Sequence, residues 1–120
     1  MSVARQTLGK TGEDLAAAEL QRRGYAILAR RYRTRHGEID LVAQDGRTIV
    51  FIEVKVRLTS EFGHAAEAVS PHKQRRLVSM ADDYLARHRL GDRPCRFDVV
   101  AMDGDEAGPQ VTLYRDAFGQ

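Results

Sequence analysis

The sequence predicts a layered α/β domain spanning residues 1–120, a mixed sheet with helices packed on it. Two stretches with helical periodicity, several with strand character, and their order along the chain predict it. That order is helix, three strands, helix, two strands. At 120 residues the chain is long enough for one real core and too short for two.

Residues 8–23 read as the first helix. Glu13, Ala16, Ala17 and Leu20 recur at the spacing of one helix face, and Gly24 follows as a stop. Glu13 is out of place on a small-residue face that should pack inward. It reads either as a first-turn acid, favoured there by the helix dipole and left in solvent, or as part of a site. Residues 25–32 then form a strand that leads into Arg33-Thr34-Arg35-His36-Gly37.

The chain is organised around the hairpin at residues 37–57. Runs 38–43 and 49–56 flank an Asp45-Gly46 pair, the strongest short-range hairpin signal. With Asp45 and Gly46 as a two-residue turn, Leu41 pairs with Val50 and Glu38 with Glu53. One face then carries Ile39, Leu41, Ala43, Val50, Ile52, Val54 and Val56. The other carries Glu38, Asp40, Val42, Ile49, Phe51, Glu53 and Lys55. Asp40 and Glu53 become diagonal neighbours, roughly 7–8 Å apart between backbones, within reach of one ion. Glu38 opposite Glu53 is a like-charge pair that calls for a cation, either Lys55 or a divalent metal.

Residues 58–66 lack any period and read as a loop. Ser70-Pro71 announces the second helix, serine as N-cap and proline in the first helical position. Leu77, Ala81, Tyr84, Leu85 and His88 give it a core face. After Gly91, Asp92 and Pro94, residues 96–102 form a strand, 103–109 a turn-rich connection and 110–114 a last short strand. Asp98 reads as an edge or end-of-strand acid.

Composition excludes several classes. The longest apolar run near the hairpin is far short of a membrane span, and the first residues lack a signal peptide's apolar segment, so the expected compartment is the cytoplasm. A single cysteine, Cys95, excludes an internal disulfide and a cysteine zinc site, and the four histidines show no zinc-ligand spacing. Net charge is only +2. Its distribution says more, with Arg30, Arg31, Arg33 and Arg35 on one side of the hairpin and Lys73, Arg75 and Arg76 on the other. On charge alone each cluster reads as a solvated face before it reads as a nucleic-acid contact.

There is no Gly-rich phosphate loop, no GxSxG and no HExxH. What remains is Asp40, then Glu53-Val54-Lys55 on the next strand, with Glu13 and basic flanks. Carboxylates sharing one site suit a hard divalent ion that polarises a phosphoryl oxygen and acidifies water, with a lysine offsetting negative charge. Phosphodiester hydrolysis fits these parts.

The Asp40, Glu53-Val54-Lys55 pattern resembles the core motif of the PD-(D/E)XK nuclease superfamily, with Ile39 where the name has proline. Glu13 on a first helix is similar to the helix-borne glutamate of the archaeal Holliday junction resolvases. The wider pattern, TGEDLAAAELQRRGY, GEIDLVAQDG, VFIEVKVR, Lys73, RFDVVAM and Asp116-Ala117-Phe118, resembles the YraN-like family of bacterial proteins across nearly the whole chain. The resemblance implies a restriction-endonuclease-like fold and a metal-dependent endonuclease acting on DNA rather than RNA, including branched or structured DNA. By position it implies Asp40 and Glu53 as ligands of Mg²⁺ or Mn²⁺, Lys55 as the catalytic lysine and Glu13 as an additional acid. Arg33, Arg35, Arg57 and Lys73 would hold phosphates, and Gln74 would stand near the site. A homodimer is compatible with it, because a four-way junction presents two equivalent cuts. A nucleic-acid-binding module without turnover, and a protein-interaction domain with a structural Glu53–Lys55 pair, are the alternatives.

Overall fold

The computed structural model describes residues 3–57, 69–105 and 108–118. Along the chain run α1 (Val3–Arg22), β1 (Ala26–Thr34), β2 (Gly37–Asp45), β3 (Thr48–Arg57), α2 (Pro71–Arg87), β4 (Cys95–Asp105) and β5 (Gly108–Phe118). The strands form one five-stranded sheet in the order β1-β2-β3-β4-β5. β3 and β4 are parallel and the other neighbours antiparallel. Parallel neighbours need a crossover, and the connection containing α2 provides it.

Alternation along the central strands creates two apolar faces, and each takes a helix. Leu41, Ala43, Val50, Ile52, Val100 and Met102 are buried with Ala16, Ala17 and Leu20 of α1. Val42, Ile49, Phe51, Phe97, Val99 and Ala101 are buried with Leu77, Met80, Ala81 and Tyr84 of α2. The result is a mixed α/β sheet flanked by helices, the architecture expected and one compatible with a restriction-endonuclease-like fold. Each fully buried Val, Leu, Ile or Phe contributes about 1.5–3 kcal/mol against the entropy of ordering the chain.

Several expectations are corrected. The β2–β3 turn is Gly46-Arg47, because Asp45 pairs with Thr48 and stays in the strand. Gly46 supplies the turn's positive φ of 61°, and Arg96 and Arg115 hold the Asp45 carboxylate at 3.0 and 3.3 Å. The register therefore moves by two residues, which preserves the faces because the side-chain period is two. Leu41 pairs with Ile52 rather than Val50, and Glu38 lies opposite Arg33 rather than Glu53.

Ile39 also departs from its expected face, joining the α2 side with Val42. The partner strand β1 is irregular at the same level. Arg31 falls between the pairs Arg30↔Leu41 and Tyr32↔Ile39 and takes a left-handed φ of 51°. Ala29 and Tyr32 consequently both lean toward the α2 side. Asp40, the residue between Ile39 and Leu41, sits at this reversal.

Helix α1 begins at Val3 rather than Leu8, so Glu13 lies in its middle and is no first-turn acid. His88 is the C-cap of α2 rather than a core residue; it stacks on Tyr84 with ring centroids 4.0 Å apart. Strands β4 and β5 run longer than expected, to Asp105 and from Gly108. The loop expected over 58–66 lies outside the described residues. Asp98 is no edge acid: β4 has neighbours on both sides, and Asp98 is fully buried.

Candidate functional site

Charged groups gather where β2 and β3 part. Their ladder runs from Asp45↔Thr48 to Leu41↔Ile52, and Asp40 and Glu53 are the next residues out. The Asp40 carboxylate accepts the backbone N–H of Val54 at 2.8 Å, which holds it against the strand beside Glu53. The two acids are thus brought together more directly than a diagonal pair.

Glu53 is buried, with a side chain 7% exposed, and a buried charge requires partners. It has two. Lys55 Nζ lies 3.4 Å from Oε1, and Lys73 Nζ makes a shorter contact to the same oxygen. Lys55 arrives from the same strand face, two residues on. Lys73 arrives from α2, whose start is set locally: Pro71 opens the helix and Ser70 Oγ accepts the N–H of Lys73 at 3.1 Å.

These neighbours shift protonation. Asp40 is pushed up to about 7, first by burial and then by the Glu53 carboxylate, with Glu13 adding to the effect; the Val54 N–H and Lys73 oppose it. Lys55 is lowered, by burial first and then by the adjoining Lys73, against the pull of Glu53. Burial also works against the charge on Lys73, but its hydrogen bond to Glu53 and that carboxylate's charge raise it overall.

Glu13 approaches from the α1 side and is held by a cation of its own. Its two carboxylate oxygens each accept from Arg31 Nε at 3.0 Å. Among the described residues, no three His, Cys, Asp or Glu side chains gather tightly enough to hold one metal ion. The acid pair is Asp40 with Glu53; Glu13 adds charge at longer range.

The remaining expected residues are dispersed. Arg33 is exposed and pairs with Glu38 at 3.3 Å. Arg35, at the β1–β2 turn, lines a cleft of about 490 Å³ with His36, Ser79, Asp82, Asp83 and Arg87, away from the acids. Gln74 donates to the carbonyl of Val69 at 2.9 Å and so fastens the entry to α2. The Arg57 side chain falls outside the described set. Lys73, expected only as a phosphate contact, stands inside the acid cluster.

Two features escaped sequence reasoning. Arg31 was one arginine among several, and nothing local marks it as the partner of Glu13. The second is a buried network behind β4. Asp98 accepts from Tyr25 Oη at 3.2 Å, Arg96 Nε at 3.1 Å and the N–H of Asp116 at 2.9 Å. An Arg and an Asp two apart on one strand face were the available signal, one that solvated strands share.

Among the described residues no helix is long and apolar enough to cross a membrane. The model of the Uncharacterised protein family UPF0102 matches residues 12–102, which include the acid pair, both lysines, Glu13 and Asp98. A UPF0102 protein of Ralstonia pickettii (strain 12J) is 48% identical over 115 residues, covering 92% of this chain and 89% of its own. One from Syntrophus aciditrophicus (strain SB) is 47% identical over 110 residues, with 92% and 87% covered. UPF0102 protein DehaBAV1_0707 of Dehalococcoides mccartyi is 40% identical over 120 residues, 100% of this chain and 99% of its own. The chain belongs to the uncharacterised protein family UPF0102, the YraN family that its motifs resemble.

Proposed function

We propose that this protein is a metal-dependent endonuclease that hydrolyses phosphodiester bonds in DNA, branched or structured DNA included. The observation that carries the reading is the meeting of Asp40 with Glu53, Lys55 and Lys73 at the parting of β2 and β3. The resemblance to the PD-(D/E)XK motif supports it.

The donor set suits Mg²⁺ or Mn²⁺. Asp40 and Glu53 offer carboxylate oxygens, and Mg²⁺ commonly binds through one or two carboxylates plus water and substrate phosphate. The raised proton affinity of Asp40 marks a place where positive charge is wanted. When bound, a divalent ion supplies Lewis-acid stabilisation of phosphoryl oxygens and acidifies water. The chain's own part is positional. Asp40 and Glu53 would hold the cation, Lys55 would offset charge that develops on the phosphate, Lys73 would hold a phosphate beside the acids, and Arg33, Arg35 and Arg57 would hold backbone phosphates.

The test is a cleavage panel of linear, single-stranded and four-way-junction DNA with Mg²⁺ or Mn²⁺. Cleavage is expected for the wild type and lost in Asp40→Ala and Lys55→Ala while DNA binding persists. Absence of cleavage across the panel counts against the reading.

One observation favours a second reading, a nucleic-acid-binding module without turnover. Glu53 is already neutralised by two ammonium groups and needs no metal to be stable. Salt-sensitive DNA or RNA binding that survives both chelation and Glu53→Ala would favour this module.

A further inference from the structure

Both described ion pairs of Glu53 fall on one oxygen, Oε1, while Asp40 is held by a backbone N–H and by no ion pair among the described residues. The cations are therefore unevenly shared between the two acids. A divalent ion on that pair would bring positive charge to a place where two ammonium groups already stand. Like charges that close are destabilising, so an ammonium must withdraw.

The two lysines differ in freedom to do so. Lys55 belongs to β3, where the backbone is fixed by pairing with Ala101 of β4, and its side chain is about one-quarter exposed at 26%. Lys73 belongs to the first turn of α2, with a side chain 36% exposed. Its four-carbon stem can swing the ammonium outward without moving the helix. The turn that carries it is also the positive end of the helix dipole, where a phosphate is stabilised.

We propose that Lys73 is a stand-in cation: it occupies Glu53 in the metal-free protein, is displaced when a divalent ion binds, and then takes a phosphate of the nucleic acid. This rests on the metal-dependent reading above and assigns Lys73 a role in that site beyond phosphate contact. Metal binding and nucleic-acid binding are then linked through one side chain, because DNA that holds the freed ammonium removes a competitor for Glu53.

The experiment is Mn²⁺ titration of the full chain without DNA, followed by the electron paramagnetic resonance of free Mn²⁺. Lys73→Met is compared with wild type and with Arg75→Met, which removes a charge from the same helix at an exposed residue with no described contact to Glu53. Lys55 keeps Glu53 paired in Lys73→Met, so the fold should persist, and circular dichroism checks it; Lys73→Gln repeats the measurement with a polar side chain. Lys73→Met and Lys73→Gln are expected to tighten Mn²⁺ binding about fivefold or more, and Arg75→Met less than twofold, since exposed charges are screened. Equal effects of Lys73→Met and Arg75→Met, or weaker Mn²⁺ binding in Lys73→Met, overturn the proposal. If wild type and Lys73→Met both fail to bind Mn²⁺, the metal-dependent reading falls and the proposal with it.

Discussion

Asp40 is the residue whose protonation most depends on the fold. Burial and the Glu53 carboxylate raise it from an ordinary 3.8 to about 7. Between those values the unfolded chain has released a proton that the folded protein keeps. The folded state then binds more protons, so this group's contribution to stability falls as pH rises from about 4 to 7. Asp40→Asn removes the charge and retains an oxygen for the Val54 N–H. In metal-free buffer it should raise Tm relative to wild type at pH 8 and make little difference at pH 4. An equal shift at both pH values would sink the assignment. The proximity of Asp40, Glu53 and Lys55 was readable from sequence because Glu53 and Lys55 alternate onto one face of β3 and Asp40 is the residue of β2 beside Glu53, although β2 breaks its alternation there. Arg31 was not, because its contact with Glu13 depends on a left-handed φ of 51° that no local pattern requires of arginine.

At the scale of elements, the site depends on how closely α1 lies against β3. Gly12 is buried, and a Cβ built there would stand 2.6 Å from Cγ2 of Val56. Alanine has the better helix propensity, by about 1 kcal/mol. Overpacking costs about 1–3 kcal/mol, and Val56 is β-branched and cannot turn its methyl aside cheaply. The packing cost should win. Gly12→Ala is expected to lose about 1 kcal/mol of stability in urea denaturation, and a stabilised variant would show that α1 can move off the sheet. Ser70 and Pro71 mark the start of α2 through cap chemistry, whereas α1 begins at Val3 with no acid in its first turn. The apolar face of α1 was readable from Ala16, Ala17 and Leu20, but that periodicity places the start at Leu8 rather than Val3.

Across the whole molecule, one buried network is centred on Asp98 of β4, which pairs with Ile52, the residue before Glu53. Asp98 receives Tyr25 from the connection between α1 and β1, Arg96 from its own strand and the N–H of Asp116 from the irregularity in β5. Arg96 also reaches Asp45 at the hairpin turn, so the α1–β1 connection, β2, β4 and β5 are joined through Asp98 and its partner Arg96. The order of strands could be read from sequence, but this junction could not. It joins residues 73 apart in the chain, and its geometry arises where the pairing of β4 with β5 shifts between Phe97 and Val99. Breaking a buried ion pair by removing one partner costs about 3–5 kcal/mol, because the other charge is left uncompensated. Here Arg96 would retain Asp45, which places Asp98→Ala near the lower end of that range, about 3 kcal/mol. Asp98→Asn keeps oxygen and shape but loses the charge-assisted bonds, and should cost about 1.5–3 kcal/mol. Both values are measurable by chemical denaturation. A cost below about 1 kcal/mol for Asp98→Ala would mean that water replaces the carboxylate, and that the four elements are joined by apolar packing alone.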